Sequence, residues 1–449
     1  LLSVLPVSSL GRELLRLVVT PTCTVEVWQV RYHTVGGRDE MTTASAALMV
    51  PKGTDAACAG PRPVVVYAHG TNTDREYDVG DLGDADNGEG LVLAAVFAAQ
   101  GYVVVAPNYV GYANSTLGYH PYLNASQQSK DTVDALAAAR RAFATASATA
   151  GDKLFLTGYS QGGYVAMATH RALQAAGTAV TASAPMSGPY ALAAFGDALF
   201  LGQVGNGAVT NFTLLATSYQ RSYGTLWSSP GEVFAAKYAS GIDGLLPNVS
   251  GVGTLEQQGQ LPKDALFSST PPTPELATVT PATQPAQFAP VFARGFGADH
   301  LVTNAYRLAY LADRAANPDG GFPAPTTGLP PAAPAHPLRQ ALKRNDLRDW
   351  TPTAPTLLCG GSGDPTVYWF NTQLVQRYWS ATAAAPVTVL DVDAPSGAGD
   401  PYRDVRSGFA AAKAAVQLRG GTNAVLEAYH AGLVPPFCLA AVKQFFDAG

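Results

Sequence analysis

Three short runs constrain this chain more than anything else in it: "RPVVVYAHG" from residue 62, "YVVVAPNYVG" from residue 102 and "KLFLTG" from residue 153. Their hearts are apolar without alternation, the pattern of strands covered on both faces. Helix-like stretches separate them, at residues 91–100, closed by Gly101, and at residues 129–146. A further helix to Gly177 and a strand in "AVTASAPMSG" carry the alternation to about residue 187. Such a succession predicts a mostly parallel sheet with helices on both faces. Ahead of it, residues 25–35 and 42–50 read as strands around a Gly36-Gly37 turn.

The rhythm then breaks. Residues 189–350 are helical in places and dense in Gly, Pro and aromatic residues, with two proline-rich stretches, "SSTPPTPELATVTPATQP" and "GGFPAPTTGLPPAAPAHP". Phe200, Phe212, Tyr219 and Phe234 are among the aromatic residues able to fill a small core, so the segment reads as an inserted cap rather than a disordered linker. Strands and helices resume at "APTLLCGGSGDPTV", pass through a helix near residues 369–379 and the strand "PVTVLDVD", and end in helices at 409–417 and 433–447. The expected organisation is a catalytic domain in two parts, residues 1–188 and 351–449, with a largely helical cap at 189–350 between them.

The question the first part raises is why a glycine-flanked serine, Gly158-Tyr159-Ser160-Gln161-Gly162, stands between a buried strand and a helix. An ordinary turn would explain the glycines. It would not explain G-x-S-x-G in that context, where the chain must reverse so tightly that the positions two before and two after the serine need clearance. The turn lifts the hydroxyl above the sheet and sets it beside backbone N–H groups at a helix N-terminus. Ser160 is therefore the candidate nucleophile.

A serine hydroxyl needs a base, and the base an orienting acid. Of the seven histidines, only His430 follows every strand, on an expected loop before the last helix. His300 and His336 fall in the insertion, and His170 on the helix after Ser160 is expected at solvent or against a neighbouring loop. Asp364, on the turn after the strand that follows the insertion, is the candidate acid, with Asp391 and Asp393 at the end of the next strand as rivals. An oxyanion hole is expected from the N–H groups of Gln161 and of Thr71, with Gly70 second to Thr71. Leu201, Tyr223 and Trp227 of the insertion are candidates to line a substrate pocket.

Composition bounds the rest. The chain has 449 residues, 47% hydrophobic and 14% charged, with a formal net charge of −5, which offers no electrostatic footprint for nucleic acid. No uninterrupted apolar run approaches the ~20 residues that span a bilayer. Neither a cofactor nor a metal is implied. Five acidic residues between 78 and 90 read as a solvated loop, their spacing being unlike an EF-hand. Four Asn-x-Ser/Thr sequons stand at Asn114, Asn124, Asn211 and Asn248. The N-terminus has neither an initiator Met nor a basic n-region, so any signal peptide is taken as removed. Four cysteines suit two disulfides, and of the three pairings Cys23–Cys58 with Cys359–Cys438 is preferred. A monomer in an oxidising, secreted or periplasmic setting is expected.

The phrases "YAHGT", "GYSQGG" and "NDLRDWTPTAPTLLCGGSGDPTV", with a late His430, resemble the secretory esterases and lipases of the α/β-hydrolase superfamily, the group of Candida antarctica lipase A and of the LipA-type secreted cell-wall esterases of bacteria. "APNYVG" departs from that pattern by carrying Asn108 where an aspartate is common. The resemblance implies an α/β-hydrolase fold with a helical cap. It also implies an extracellular carboxylic ester hydrolase with Ser160, Asp364 and His430 as its triad and an acyl, aryl or sugar ester as substrate. A serine peptidase or an acyltransferase of the same fold is the alternative.

Overall fold

The computed structural model describes residues 21–84, 87–383 and 385–449. Residues 1–20, on which the reading of a trimmed N-terminus rests, lie outside them, as do residues 85 and 86 of the acidic loop. The strands, in chain order, are β1 (Thr24–Val35), β2 (Met41–Lys52), β3 (Pro61–Ala68), β4 (Val103–Pro107), β5 (Thr149–Tyr159), β6 (Ala182–Met186), β7 (Phe267–Ser268), β8 (Phe296–Gly297), β9 (Thr356–Gly360) and β10 (Val387–Asp391). Eight form one sheet in the order β1-β2-β4-β3-β5-β6-β9-β10. The β1–β2 and β2–β4 pairs are antiparallel and every other pair is parallel. The apolar runs explain the order: β4, β6 and β9 are buried at every position and β3 nearly so, so they occupy the middle, while β1 is exposed along most of its length and takes an edge.

Two cores flank the sheet. Val64, Val66, Val103 and Val105 face one side, against Leu136 and Ala139 of the helix Ala125–Ala142. Val65, Tyr67 and Val104 face the other. The period of two along each strand sends alternate residues to opposite faces. The helix Ala125–Ala142 begins four residues earlier than its apolar pattern suggests, because Asn124 caps it by accepting from the Gln127 N–H at 3.2 Å. The polar run after that cap hides the start from a hydrophobicity reading.

Between β6 and β9 the chain forms the helices Leu192–Phe200, Ala208–Tyr223, Asn304–Ala316 and Pro337–Arg344, several shorter turns and the β7–β8 pair. The aromatic residues of this segment, including Phe200, Phe212, Trp227 and Phe234, are buried in the same apolar cluster as Tyr67 and Tyr159 of the sheet. Polar stitches add to it: Tyr164 donates to the Asn345 carbonyl at 2.7 Å, and Tyr219 to the Leu123 carbonyl at 3.1 Å. The buried Arg348 bonds both Asp319 (2.6 Å) and Asp346 (2.8 Å), and Asp346 also accepts from the Ala193 N–H at the start of the first inserted helix. The return of the segment is thereby tied to its exit.

The disulfides form as Cys23–Cys58 and Cys359–Cys438. The C-terminal helices depart from expectation. The first runs over Arg403–Ala428, with Gly421 (φ 70°, ψ −168°) making a kink where a stop was expected. A π-helical turn, Tyr429–Leu433, then joins it to the helix Val434–Asp447. This stretch is long and apolar enough to cross a membrane by length and composition, but its apolar window is mostly buried inside the molecule.

Candidate active site

The strand β5 runs out of the sheet into Ser160, which has φ 59° and ψ −120°, a conformation that a residue with a Cβ rarely adopts. A Cβ on Gly158 would lie 2.4 Å from the Gly162 carbonyl oxygen, and one on Gly162 would lie 1.9 Å from that of Ala68. The two glycines that frame the serine in sequence are thus the two that let its turn close. The Ser160 N–H is held by the Met186 carbonyl at 3.0 Å, which ties the corner to the end of β6.

The three residues singled out from the sequence come together at the carboxyl ends of β5 and β9. His430 Nε2 lies 2.8 Å from Ser160 Oγ, and His430 Nδ1 lies 2.6 Å from Asp364 Oδ2. Asp364 is buried, and its other oxygen accepts from the N–H groups of Thr366 (2.8 Å) and Val367 (3.0 Å). His430 sits on the π-helical turn rather than on a loop. A single-turn π-helix inside a helical run is a frequent companion of functional sites, since it re-aims one side chain without ending the helix. Tyr159 donates to the His430 carbonyl oxygen at 2.5 Å. A carboxylate, an imidazole and a hydroxyl in this line can draw the proton from the hydroxyl as its oxygen attacks.

Gln161 follows Ser160 directly and Thr71 lies on the loop after β3. Neither backbone N–H has a hydrogen-bond partner among the described residues. Gly70 is the poorer donor, because its N–H is already directed at the Glu89 carboxyl at 3.2 and 3.3 Å. The Thr71 hydroxyl pairs with that of Tyr122 at 2.8 Å. Burial pushes Glu89 up to about 7, against hydrogen bonds from Tyr67 and Gly70 that favour its charged form. Burial also lowers His69 to about 4 and His120 to about 3, so both rings are neutral near pH 7. His69 Nδ1 is 2.7 Å from the Gly70 carbonyl oxygen. His120 Nδ1 faces the Val110 carbonyl oxygen at 2.8 Å, and its Nε2 is free to accept from the Gln161 side-chain amide at 2.7 Å. The two histidines thus hold the loop and the side chain next to the two candidate donors. Sequence reasoning passed over His120 and Glu89. Glu89 belongs to the acidic loop expected to be solvated, whereas it is turned inward to Tyr67 and Gly70, and His120 carries no signal beyond its aromatic neighbours Tyr119 and Tyr122.

A cleft opens at Ser160 and Gln161 and runs between the helices Leu192–Phe200 and Ala208–Tyr223. Its walls include Leu192, Phe195, Leu199, Phe212, Leu215 and Leu342. The three residues expected to line a pocket are not among its lining. Leu201 caps the end of the first of these helices; Tyr223 is turned to Asn345 and Arg344; Trp227 is packed edge-on against Phe234 in the core. The sequence showed that the insertion is aromatic, but only the packing decides which faces enclose space.

The remaining expectations resolve as follows. His170 is buried against a neighbouring loop, edge-on to Trp350 at 5.1 Å, the second of the two settings expected for it. Asp391 accepts from the Ser362 N–H at 3.0 Å and Asp393 from Tyr429 at 2.7 Å, so both rival acids brace the neighbourhood of Asp364 without reaching the imidazole. Asn108 is buried and anchors the acidic loop, accepting from the Val79 N–H at 2.8 Å and donating to Asp78 Oδ1 at 2.9 Å. Asn124 is the helix cap and is buried, which closes that sequon to modification.

A serine lifted on such a turn above the carboxyl edge of a doubly covered parallel sheet is the arrangement of the α/β-hydrolases, and this chain has that fold, in an esterase-like form. Residues 92–203 match the model of the prolyl oligopeptidase family, Peptidase_S9. Among solved structures, the chain is similar to a ligand-bound form of the rice cell wall degrading esterase LipA from Xanthomonas oryzae, at 26% identity over 97% of this chain and 94% of that one, with a TM-score of 0.70. A putative hydrolase from Legionella pneumophila matches at 19% identity over 98% and 94% of the two chains, with a TM-score of 0.64. Candida antarctica lipase A matches at 12% identity over 86% and 74%, with a TM-score of 0.50; these last two speak to fold alone. No curated protein matches the sequence at a significant level.

Proposed function

We propose that the protein is a serine carboxylic ester hydrolase that works through an acyl-enzyme. The observation that carries this reading is the hydrogen-bonded line Asp364–His430–Ser160 at the mouth of an apolar cleft. Ser160 Oγ attacks the ester carbonyl while His430 Nε2 takes its proton. The carbonyl oxygen, now anionic, is held by the N–H groups of Gln161 and Thr71. His430 then gives the proton to the departing alcohol, and water repeats the sequence in reverse to release the acid. Asp364 keeps the imidazole in the tautomer that presents Nε2 to the serine and supports the imidazolium.

The segment 189–350 serves as a cap over this centre. Its cleft walls are apolar, which suits the acyl or aryl part of an ester and offers little to a charged one. Two disulfides and the similarity to LipA favour an extracellular or periplasmic home. The match to the prolyl oligopeptidase family supports peptidase chemistry as a second reading. The matched residues 92–203 are the strands and helices around Ser160, the part that esterases and peptidases of this fold share. A panel of p-nitrophenyl esters of graded acyl length beside the matching p-nitroanilides tests both. Ester turnover that Ser160→Ala removes supports the proposal, whereas amide turnover at comparable kcat/KM would favour the peptidase.

A further inference from the structure

Tyr429 is buried directly beneath the loop that carries Asp364. Its hydroxyl accepts from the Gly363 N–H at 2.9 Å and donates to Asp393 Oδ2 at 2.7 Å. Gly363 immediately precedes Asp364, and Tyr429 immediately precedes His430. One hydroxyl therefore joins the two segments a single residue upstream of the acid and of the base. The ring fits because the loop lacks side chains there: a Cβ on Gly361 would lie 2.6 Å from the Tyr429 hydroxyl oxygen, and one on Gly363 would lie 2.8 Å from the ring. The "GGSGD" phrase is in this sense the imprint of Tyr429.

The far side of the hydroxyl is also fixed. Lys413 Nζ bonds both oxygens of Asp393, at 2.8 and 2.6 Å, and lies 5.7 Å from the centre of the Tyr429 ring. Burial and the Asp393 charge push the tyrosine well above its ordinary range, so it remains a neutral donor. Phe409 packs edge-on against the ring at 5.6 Å. Asp391, whose carbonyl oxygen is bound by Arg406, accepts from the Ser362 N–H at 3.0 Å. Arg406 pairs in turn with Asp400. Among the described residues, His430 itself makes side-chain hydrogen bonds with Asp364, Ser160 and Tyr159.

We propose that Tyr429, braced by Asp393 and Lys413, is a positioning residue that sets the hydrogen bond between Asp364 and His430. It touches neither the substrate nor the reacting atoms. It acts on the carboxylate loop and the histidine turn together, so that neither can drift from the other. The inference rests on the esterase reading above. Loss of that hydroxyl frees Gly363, and the Asp364 carboxylate then supports the imidazolium less well. An imidazolium with weaker support loses its proton at lower pH.

The test is Tyr429→Phe, which removes one oxygen and keeps the ring, assayed on p-nitrophenyl acetate from pH 5 to 9 by way of kcat, KM and kcat/KM, with folding checked by circular dichroism. Expected are a kcat about ten-fold lower, a KM within about two-fold of the parent, and an acid limb of kcat/KM displaced to lower pH. A folded variant with parental kcat and acid limb would overturn the proposal. So would a lower kcat with an unmoved acid limb, which is the mark of general loosening. Should Tyr429→Phe fail to fold, Asp393→Asn, of equal volume, decides on the same readouts, with a smaller change in the same direction expected. Ser160→Ala runs alongside: if that variant retains turnover, the esterase reading itself has failed, independently of Tyr429.

Discussion

At the residue scale the structure makes the roles of three carboxylates separable. Asp364 contacts the imidazole, whereas Asp391 and Asp393 reach only the surrounding loop and Tyr429. Ser160→Ala and His430→Ala are expected to lower kcat by about 10⁴-fold or more, and Asp364→Asn by somewhat less, because the orienting charge is lost while the ring remains. Asp391→Asn is expected to stay within about ten-fold of the parent. Steady-state kinetics on a short ester check all four, and an inactive Asp391→Asn beside an active Asp364→Asn would reverse the assignment. Among residues, the serine, its glycines and the late histidine were legible in the sequence because a tight strand-to-helix turn leaves few chemical choices. Tyr429, His120 and Glu89 were not, because what they do depends on partners 19 to 66 residues away in the chain.

At the element scale, two devices hold the site together. The Cys359–Cys438 disulfide links the end of β9, which leads to Asp364, with the helix that follows His430. Its half-cystines are 79 residues apart, and closing a loop of that length stabilises by about 4.5 kcal/mol in the chain-entropy model. Mild reduction, or Cys359→Ala with Cys438→Ala, is expected to lower the melting temperature by several degrees and to reduce kcat before the protein unfolds. Calorimetry and initial rates on the same sample would show it, and an unaltered melting temperature would count against the clamp. The second device is the pair of helices that wall the cleft. Phe212→Ala or Leu199→Ala widens it, so activity on a six- to ten-carbon acyl ester is expected to fall more than activity on an acetate. Equal losses on both would leave the cleft without a part in substrate choice. The eight strands of the main sheet and the helices on either side of residues 189–350 could be placed from the apolar pattern, whereas the individual helices of that segment and the β7–β8 pair could not. The helix ends could not, since Asn124 starts one by a cap and Gly421 kinks another without stopping it.

At the scale of the whole molecule, buried titratable groups set the dependence of stability on pH. Burial lowers His69, His170 and His336 to about 4 and His120 to about 3. An unfolded chain takes protons on these rings near the ordinary value of ~6.5, whereas the folded chain does not. More protons bound when unfolded means that stability rises with pH, so these four contribute stability above about pH 6.5 that is lost as pH falls toward 4. Glu89 and Asp131, both pushed up to about 7 by burial, act in the opposite sense over about pH 4 to 7. Burial also raises Asp197, Asp346 and Glu256, which act with Glu89 and Asp131, so the share of one histidine shows as a difference between variant and parent. Between pH 4.5 and 6.5 the melting temperature of His170→Gln, a position on the helix behind the site, is expected to gain less with rising pH than that of the parent. The same pH profile in parent and variant would refute the expectation.

The sequence by itself determined the parts whose physics is local. Apolar runs without alternation demanded a covered parallel sheet, the glycines at 158 and 162 demanded a sharp corner at Ser160, and chain order placed an acid and a histidine after it. It was silent where distant surfaces meet. Leu201, Tyr223 and Trp227 were reasonable choices for a pocket, yet the cleft is walled by Phe195, Leu199, Phe212 and Leu215 instead, because which face of an aromatic helix is left uncovered depends on everything packed around it. The same reason made Asp391 and Asp393 credible acids on paper. In the folded chain it is the Asp364 carboxylate that lies 2.6 Å from the imidazole, a distance that depends on the glycine loop, the Tyr429 ring and the π-helical turn together.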